Sequence, residues 1–430
     1  MRAARSLRSI VLLVTMALVL SACAGSPAYS LAGRAGPSGN LTWFFWVGTP
    51  AEAQVWRDNT QLVTKKYPDV HVNLVTTDWT AYWQKLPLEA STGSMPCLAG
   101  LQFGYVGSVG KDFIPLNSLV KKFHYDLKGF EPAMINELSN NGKLLALPYD
   151  FGPVVIAYNK ALFQKKGVPL PKAGWTWSQF VSDSQKLTGG GDYGYLPGLS
   201  QELGYDLTGT PDAWIQNGQF NLTNSTFESG MQQQAELSYK YHVTPTFSEA
   251  PNWGIQEFDS GKVGMETNGP WGLIDLKAQS NFPIGWAPFP AGPKGMHTYN
   301  EGSGFGITKD CPSNQIETAF KALTVLVGDQ ALSHAGSTGR AFPARLADDH
   351  VWAKFAGGDA GQVMHGALQG APAEEVTTNW TAFQTALSKY EPLLLNGSLS
   401  PAKFAEDVQS EAGAGSGVSP GNMAPLISKS

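Results

Sequence analysis

Cysteine is scarce here: the 430 residues hold three, Cys23, Cys97 and Cys311. That excludes a disulfide-dense miniature scaffold and a cysteine-rich zinc module. The seven histidines include no pair at the i, i+4 spacing of a helical metal site. The segment FDSGKV, 258–263, ends like a phosphate-binding loop but lacks the rest of that motif. GSGFG, 302–306, echoes a nucleophile elbow, yet its serine is in the wrong slot and the segment leads into a strand rather than out of one. No catalytic motif, cofactor or metal is therefore expected. Only 15% of residues are charged, 30 basic against 35 acidic, with no basic stripe or lysine-rich arm. No nucleic-acid partner is expected from such a surface. No internal repeat is visible. The apolar run Ile10 to Leu20 is too short to span a bilayer core, which needs about 20 residues.

What is present begins at the N-terminus. Three arginines without an acid, the apolar run and small residues form a secretory signal over 1–22. Its end, Leu20-Ser21-Ala22-Cys23, resembles the bacterial lipobox, so Cys23 is expected to carry lipid. Residues 23–39 read as a small, flexible tether and 411–430 as a tail of the same character. The stretch between them, about 370 residues, is long enough for two domains. Loss of the signal removes Arg2, Arg5 and Arg8 and leaves a more acidic mature chain. Aromatics are abundant, with 13 Trp, 14 Tyr and 21 Phe. A large core accounts for most of them.

The body opens with an aromatic strand, NLTWFFWV. A helix follows, with Thr49 as cap, Pro50 as first residue and Glu52 as the capping-box partner. VHVNLVTT, AYWQKLPLEASTG and CLAGLQF extend the pattern to strand, helix, strand, helix, strand, with Pro87 an irregularity in the second helix. This is the beginning of an open α/β sheet. Thr176 and Gln179 form a second capping box. In GKVGMETNGPWGLIDL, 261–276, a strand is cut by Asn268-Gly269-Pro270, and Trp271 lands on the first turn of the next helix. No nucleophile, base or metal ligand stands near it in sequence. The indole either plugs the corner or faces a ligand.

Four stretches taken in order resemble the bacterial extracellular solute-binding protein family 1, the sugar-binding components of ABC importers. They are NGKLLALPYDFGPVVIAYNKALFQKKGV, GWTWSQFVSDSQKLT, EFDSGKVGMETNGPW and PIGWAPFPAGP. The resemblance covers most of 40–345 and weakens over 190–250 and after 345. It implies a two-lobe, type II periplasmic-binding-protein-like α/β fold with a ligand cleft between the lobes. The implied N-terminal lobe is 40–149 plus 293–345, and the C-terminal lobe 150–292 plus 346–410. The implied crossings lie at Tyr149 to Pro153 and in the loop from Pro290 to Glu301. The implied function is capture of a mono- or oligosaccharide by hinge closure and delivery to an ABC permease with its cytoplasmic ATPase. The protein would be a monomer, exported and held at the outer face of the cell membrane by its lipid alone.

Ligands in open α/β sheets bind at the strand ends and helix starts facing the crevice. An indole covers the C–H face of a sugar, and polar groups serve its hydroxyls. On this basis Trp271 is a stacking platform. Trp46, Gln102, Tyr105, Tyr149, Asp150, Trp214, Gly302 and Ser303 join it as ligand-binding candidates, the last two through backbone donors. Trp79 is a weaker candidate, and Arg340 and Arg345 brace a loop. The family usually has Pro-Asp before its third strand, where this chain has Pro96-Cys97. In the family that strand runs antiparallel to the one returning after the second crossing. With Phe103 opposite Phe305, Cys97 would face Cys311, and a disulfide is expected. Two other functions fit the sequence: a secreted glycan-cleaving enzyme with a distant carboxylate pair, and a binding protein feeding a sensor kinase.

Overall fold

The computed structural model describes residues 39–413 and 415, apart from 197, 198, 200, 211, 212, 247–254, 293 and 370–375. The signal, Cys23, the tether and nearly all of the tail lie outside the described residues. The final helix ends at Ala412, just inside the segment expected to be tail.

Nine strands build two main sheets. They are β1 (Asn40–Trp46), β2 (His71–Thr77), β3 (Leu98–Gln102), β4 (Ala146–Pro153), β5 (Val155–Asn159), β6 (Tyr193–Tyr195), β7 (Val263–Asn268), β8 (Ile284–Ala287) and β9 (Asn300–Ile307). The first sheet has the order β2-β1-β3-β9-β4 and the second the order β8-β5-β7-β6. Helices flank both. Those that matter for the site are α1 (Pro50–Lys66), α2 (Trp79–Thr92) and α3 (Leu273–Gln279). This is the two-lobe α/β architecture implied by the resemblance.

Local chemistry explains the elements. β1 is covered on both faces, so its apolar residues run consecutively: Trp43, Phe44 and Phe45 are all buried. The Trp43 ring meets Phe305 of β9 edge-on at 4.6 Å. Thr49 Oγ1 accepts the Glu52 N–H at 3.2 Å and Pro50 opens α1. The Glu52 carboxylate caps one residue further out than a capping box requires, accepting from the Gly48 N–H at 2.7 Å. The second capping box, Thr176 with Gln179, is complete. α2 continues through Pro87, so the expected irregularity does not end the helix.

The chain leaves the first sheet at Pro153 and enters the second at Val155, so the crossing is Val154 alone. Of Tyr149 to Pro153, expected to form the crossing, Asp150 to Pro153 are still paired with β9, and Tyr149 lies in β4 at a bulge between paired residues. The return passes through residues 288–299.

β3 and β9 are antiparallel neighbours, as implied, but in a different register. Phe305 faces Gly100, and Ile307 faces Leu98. The expected pairing of Phe103 with Phe305 is therefore wrong by three positions. Cys97 and Cys311 nevertheless meet, with Cα atoms 4.2 Å apart and sulfurs at bonding distance. Two features bring this about. Thr308 donates its N–H to the Cys97 carbonyl at 3.0 Å, and the chain then turns, with the Cys311 N–H bonding the Thr308 carbonyl at 3.2 Å. The turn carries Cys311 back beside Cys97, where a straight strand would have carried it past.

Candidate functional site: a carboxylate-rich cleft between the two sheets

Between the sheets lies a cleft of about 660 Å³. Its walls come from the ends of β1, β3, β4, β7 and β9 and the starts of α1, α2 and α3. Trp46, Gln102, Tyr149, Asp150, Trp271, Gly302 and Ser303 all line it, as does Trp79. Seven of the nine ligand-binding candidates are thus brought together.

Trp271 sits in a single 3₁₀ turn, Pro270–Gly272, that leads into α3. Pro270 opens that turn rather than the α-helix itself. Two glycines make the corner possible. A Cβ at Gly269 would lie 2.3 Å from the Trp271 ring, and one at Gly152 would lie 2.3 Å from Pro270 Cγ. The corner is also tethered from behind, where Trp352 Nε1 donates to the Pro270 carbonyl at 2.8 Å. The indole itself is half-buried and lines the cleft.

Trp46 ends β1 and is nearly buried among rings, with Trp79 edge-on at 5.0 Å and Trp83 at 5.5 Å. Trp79 is 42% exposed, which makes it the open member of this nest.

The polar candidates on this side are already engaged. Gln102 accepts the Gly104 N–H through Oε1 at 2.8 Å. The Ser303 N–H, expected as a donor to ligand, goes to Asp150 Oδ1 at 3.0 Å. Tyr149 is fully buried, and its hydroxyl accepts from Arg340 Nη2 at 3.1 Å.

Two candidates are not lining residues. Tyr105 stacks flat on Trp83, with centroids 3.5 Å apart. Trp214 meets Phe227 edge-on at 4.8 Å and donates Nε1 to Thr208 Oγ1 at 3.2 Å. Both rings pack against aromatics of their own lobe. An aromatic near a turn says nothing about which wall of the turn it faces.

Several lining residues were not foreseen. Arg340 does not merely brace a loop. It is buried at the base of the cleft, where its Nε pairs with Glu52 and its Nη1 lies 3.5 Å from Asp150 Oδ2. Its guanidinium also lies over the rings of Trp56 at 5.2 Å and Tyr149 at 5.5 Å. Burial raises the Asp150 carboxyl to about 7, against the opposing pull of Arg340. Asp275 lies four residues after Trp271, on the same helical side, and accepts from Thr49 Oγ1 at 2.6 Å. Glu266 accepts from Asn268 Nδ2 at 2.7 Å, and burial lifts it to about 8. Asp259 accepts from Ser280 Oγ at 3.2 Å. Burial raises both Asp259 and Asp275. Glu301 completes the set. The capping-box position of Glu52 and the spacing of Asp275 from Trp271 are signals that could have found two of these residues. Nothing local marks Glu266 or Asp259.

Among the described residues no group of three His, Cys, Asp or Glu side chains could hold a metal ion, and no helix is long and apolar enough to cross a membrane.

A family model described as bacterial extracellular solute-binding protein matches residues 61–354. A binding protein of Brucella abortus is 26% identical over 278 residues, which cover 60% of this chain and 65% of that protein. The chain thus spans just under two thirds of that relative's length. Among solved structures, an ABC substrate-binding protein of Listeria monocytogenes in complex with cycloalternan superposes with a TM-score of 0.79 at 19% identity, covering 87% of this chain and 97% of that one. UgpB of Mycobacterium tuberculosis in complex with glycerophosphocholine gives 0.74 at 17% identity, covering 88% and 98%. At these identities the superpositions establish the two-lobe fold.

Proposed function

The chain belongs to the bacterial extracellular solute-binding protein family, and from that premise we propose that it is the solute-capturing subunit of an ABC importer for a sugar or polyol. The two lobes, which divide at Val154 and across residues 288–299, close around the ligand. The closed form presents the ligand to a permease. The observation that carries this reading is Trp271, held half-exposed on the wall of a 660 Å³ cleft by a corner that two glycines and Trp352 define. An aromatic face beside carboxylates and amides matches a ring with C–H faces and a hydroxyl rim. The cavity size is that of small-molecule sites. Structures of the same fold are in complex with cycloalternan and with glycerophosphocholine.

The test is a thermal-shift screen of mono- and oligosaccharides and polyols, followed by titration of hits. A ligand that binds only the folded form raises the melting temperature. A screen without a single shift, in a protein shown to be folded, removes the reading.

Anchoring through lipid on Cys23, with 24–39 as tether, belongs to the same proposal. Metabolic labelling with a fatty acid should mark the wild-type chain and not Cys23→Ser. A Cys97–Cys311 disulfide in the exported protein is the remaining part. Non-reducing peptide mapping should recover the linked pair, and two separately alkylated peptides would refute it.

A further inference from the structure

The cleft is unbalanced in charge. Six acidic side chains line it, Glu52, Asp150, Asp259, Glu266, Asp275 and Glu301, against one cation, Arg340, and burial raises Asp150 to about 7 and Glu266 to about 8. That cation is buried and largely engaged, with only Nη1 lacking a hydrogen bond. Glu52 and Asp150 flank it, Tyr149 OH takes a further N–H, and two aromatic rings cover its plane. A guanidinium so enclosed is poorly placed to receive a phosphate from the cleft.

On the opposite wall, Asp259, Glu266 and Asp275 accept hydrogen bonds from Ser280, Asn268 and Thr49, all neutral donors. These three belong to the side of the cleft that also carries Trp271. Closure around a neutral ligand would strip water from Asp259 and Asp275 and supply no countercharge, which is costly for a carboxylate, while Glu266, raised to about 8 by burial, ionises readily at neutral pH only beside a cation. Closure around an anion would add like-charge repulsion. A ligand cation answers both problems. It pairs with a carboxylate in a charge-assisted hydrogen bond, and the faces of Trp271 and the 42% exposed Trp79 offer cation–π contact beside it.

We propose that the ligand is a polyhydroxylated compound bearing a protonated amine, held by Asp259, Glu266 and Asp275 against Trp271, and that phosphorylated sugars and polyols are rejected. This rests on the solute-binding reading of the cleft and narrows it to a chemical class.

The experiment is calorimetric titration of the mature chain with matched mono- and disaccharides, each in its amino, neutral and phosphorylated form. The amino form should bind about ten-fold tighter than its neutral counterpart, the equivalent of one charge-assisted bond. The phosphorylated form should show no binding. Asp259→Asn and Glu266→Gln, measured separately, should each shrink the ratio of amino-form to neutral-form affinity. Circular dichroism confirms that each variant is folded. A neutral or phosphorylated form that binds as tightly as its amino counterpart overturns the inference and leaves the solute-binding reading standing. A set in which no form of any sugar binds overturns both.

Discussion

The two walls of the cleft are built on opposite principles. On the first-sheet wall nearly every polar group is already satisfied inside the protein. Tyr149 and Asp150 are tied to Arg340, Ser303 to Asp150, and Gln102 to Gly104. Trp46 is wedged among other rings. On the second-sheet wall a half-buried indole stands beside acidic side chains bonded only to neutral donors. The first wall is a preorganised surface, and the second keeps hydrogen-bonding capacity in reserve. Affinity in such a cleft gains from rigidity on one side, because groups already ordered lose little freedom on binding. Discrimination then falls to the side whose groups still lack an ideal partner.

The contrast can be broken most severely at Arg340. Replacement by Met leaves Glu52 and Asp150 buried without their cation, at a cost of about 3–5 kcal/mol in unfolding free energy. Chemical denaturation measures this, and adding Asp150→Asn to the variant should recover part of the loss. A variant as stable as wild type would mean that the first wall is not held by this ion pair.

On the second wall, Trp271→Ala should cost about 2–4 kcal/mol of ligand affinity, as a buried aromatic anchor does, with little change in melting temperature. Unchanged affinity in a folded variant would turn the indole into a corner plug.

A smaller effect separates buried acids from exposed ones. Burial raises Asp150 to about 7, and Glu266, Asp206 and Glu391 to about 8. The folded state therefore holds protons that the unfolded chain has released above its ordinary carboxylate range. Stability from these groups is full below that range, is lost progressively as pH rises from it, and is gone once pH has passed 7 to 8. The melting temperature of the ligand-free protein should fall over this interval. Glu391→Gln should flatten part of the slope, because Glu391 accepts the Leu199 N–H from a buried site. A flat profile in the wild type would contradict the burial argument.

The smallest effect is expected where sequence reasoning misplaced residues. Tyr105→Phe and Trp214→Phe should change ligand affinity by less than about 0.5 kcal/mol, since substitutions away from a binding surface are close to neutral for it. A ten-fold loss in either would return that residue to the site.

Much of the architecture was legible in one dimension because its signals are local. The caps at Thr49 and Thr176, the buried aromatic strand 40–46 and the Asn-Gly-Pro break before Trp271 depend on neighbours within a few residues. The ordered motifs extended that reading to a two-lobe fold with a cleft, and to seven residues that do line it.

What the sequence by itself determined is therefore which segments become strands and helices and which of their ends meet at the crevice. Only the tertiary structure decided what those ends present to it. Arg340 lies 288 residues from Glu52, and Asp275 lies 226 residues from Thr49. No periodicity encodes such pairings. The same holds for register, where a slip of three residues between β3 and β9 left the cysteines in contact because a turn compensated for it. A local pattern sets the direction and face of a backbone. The partner of a buried charge is settled only when distant segments pack and exclude water, since that is the step at which leaving it unpaired becomes costly.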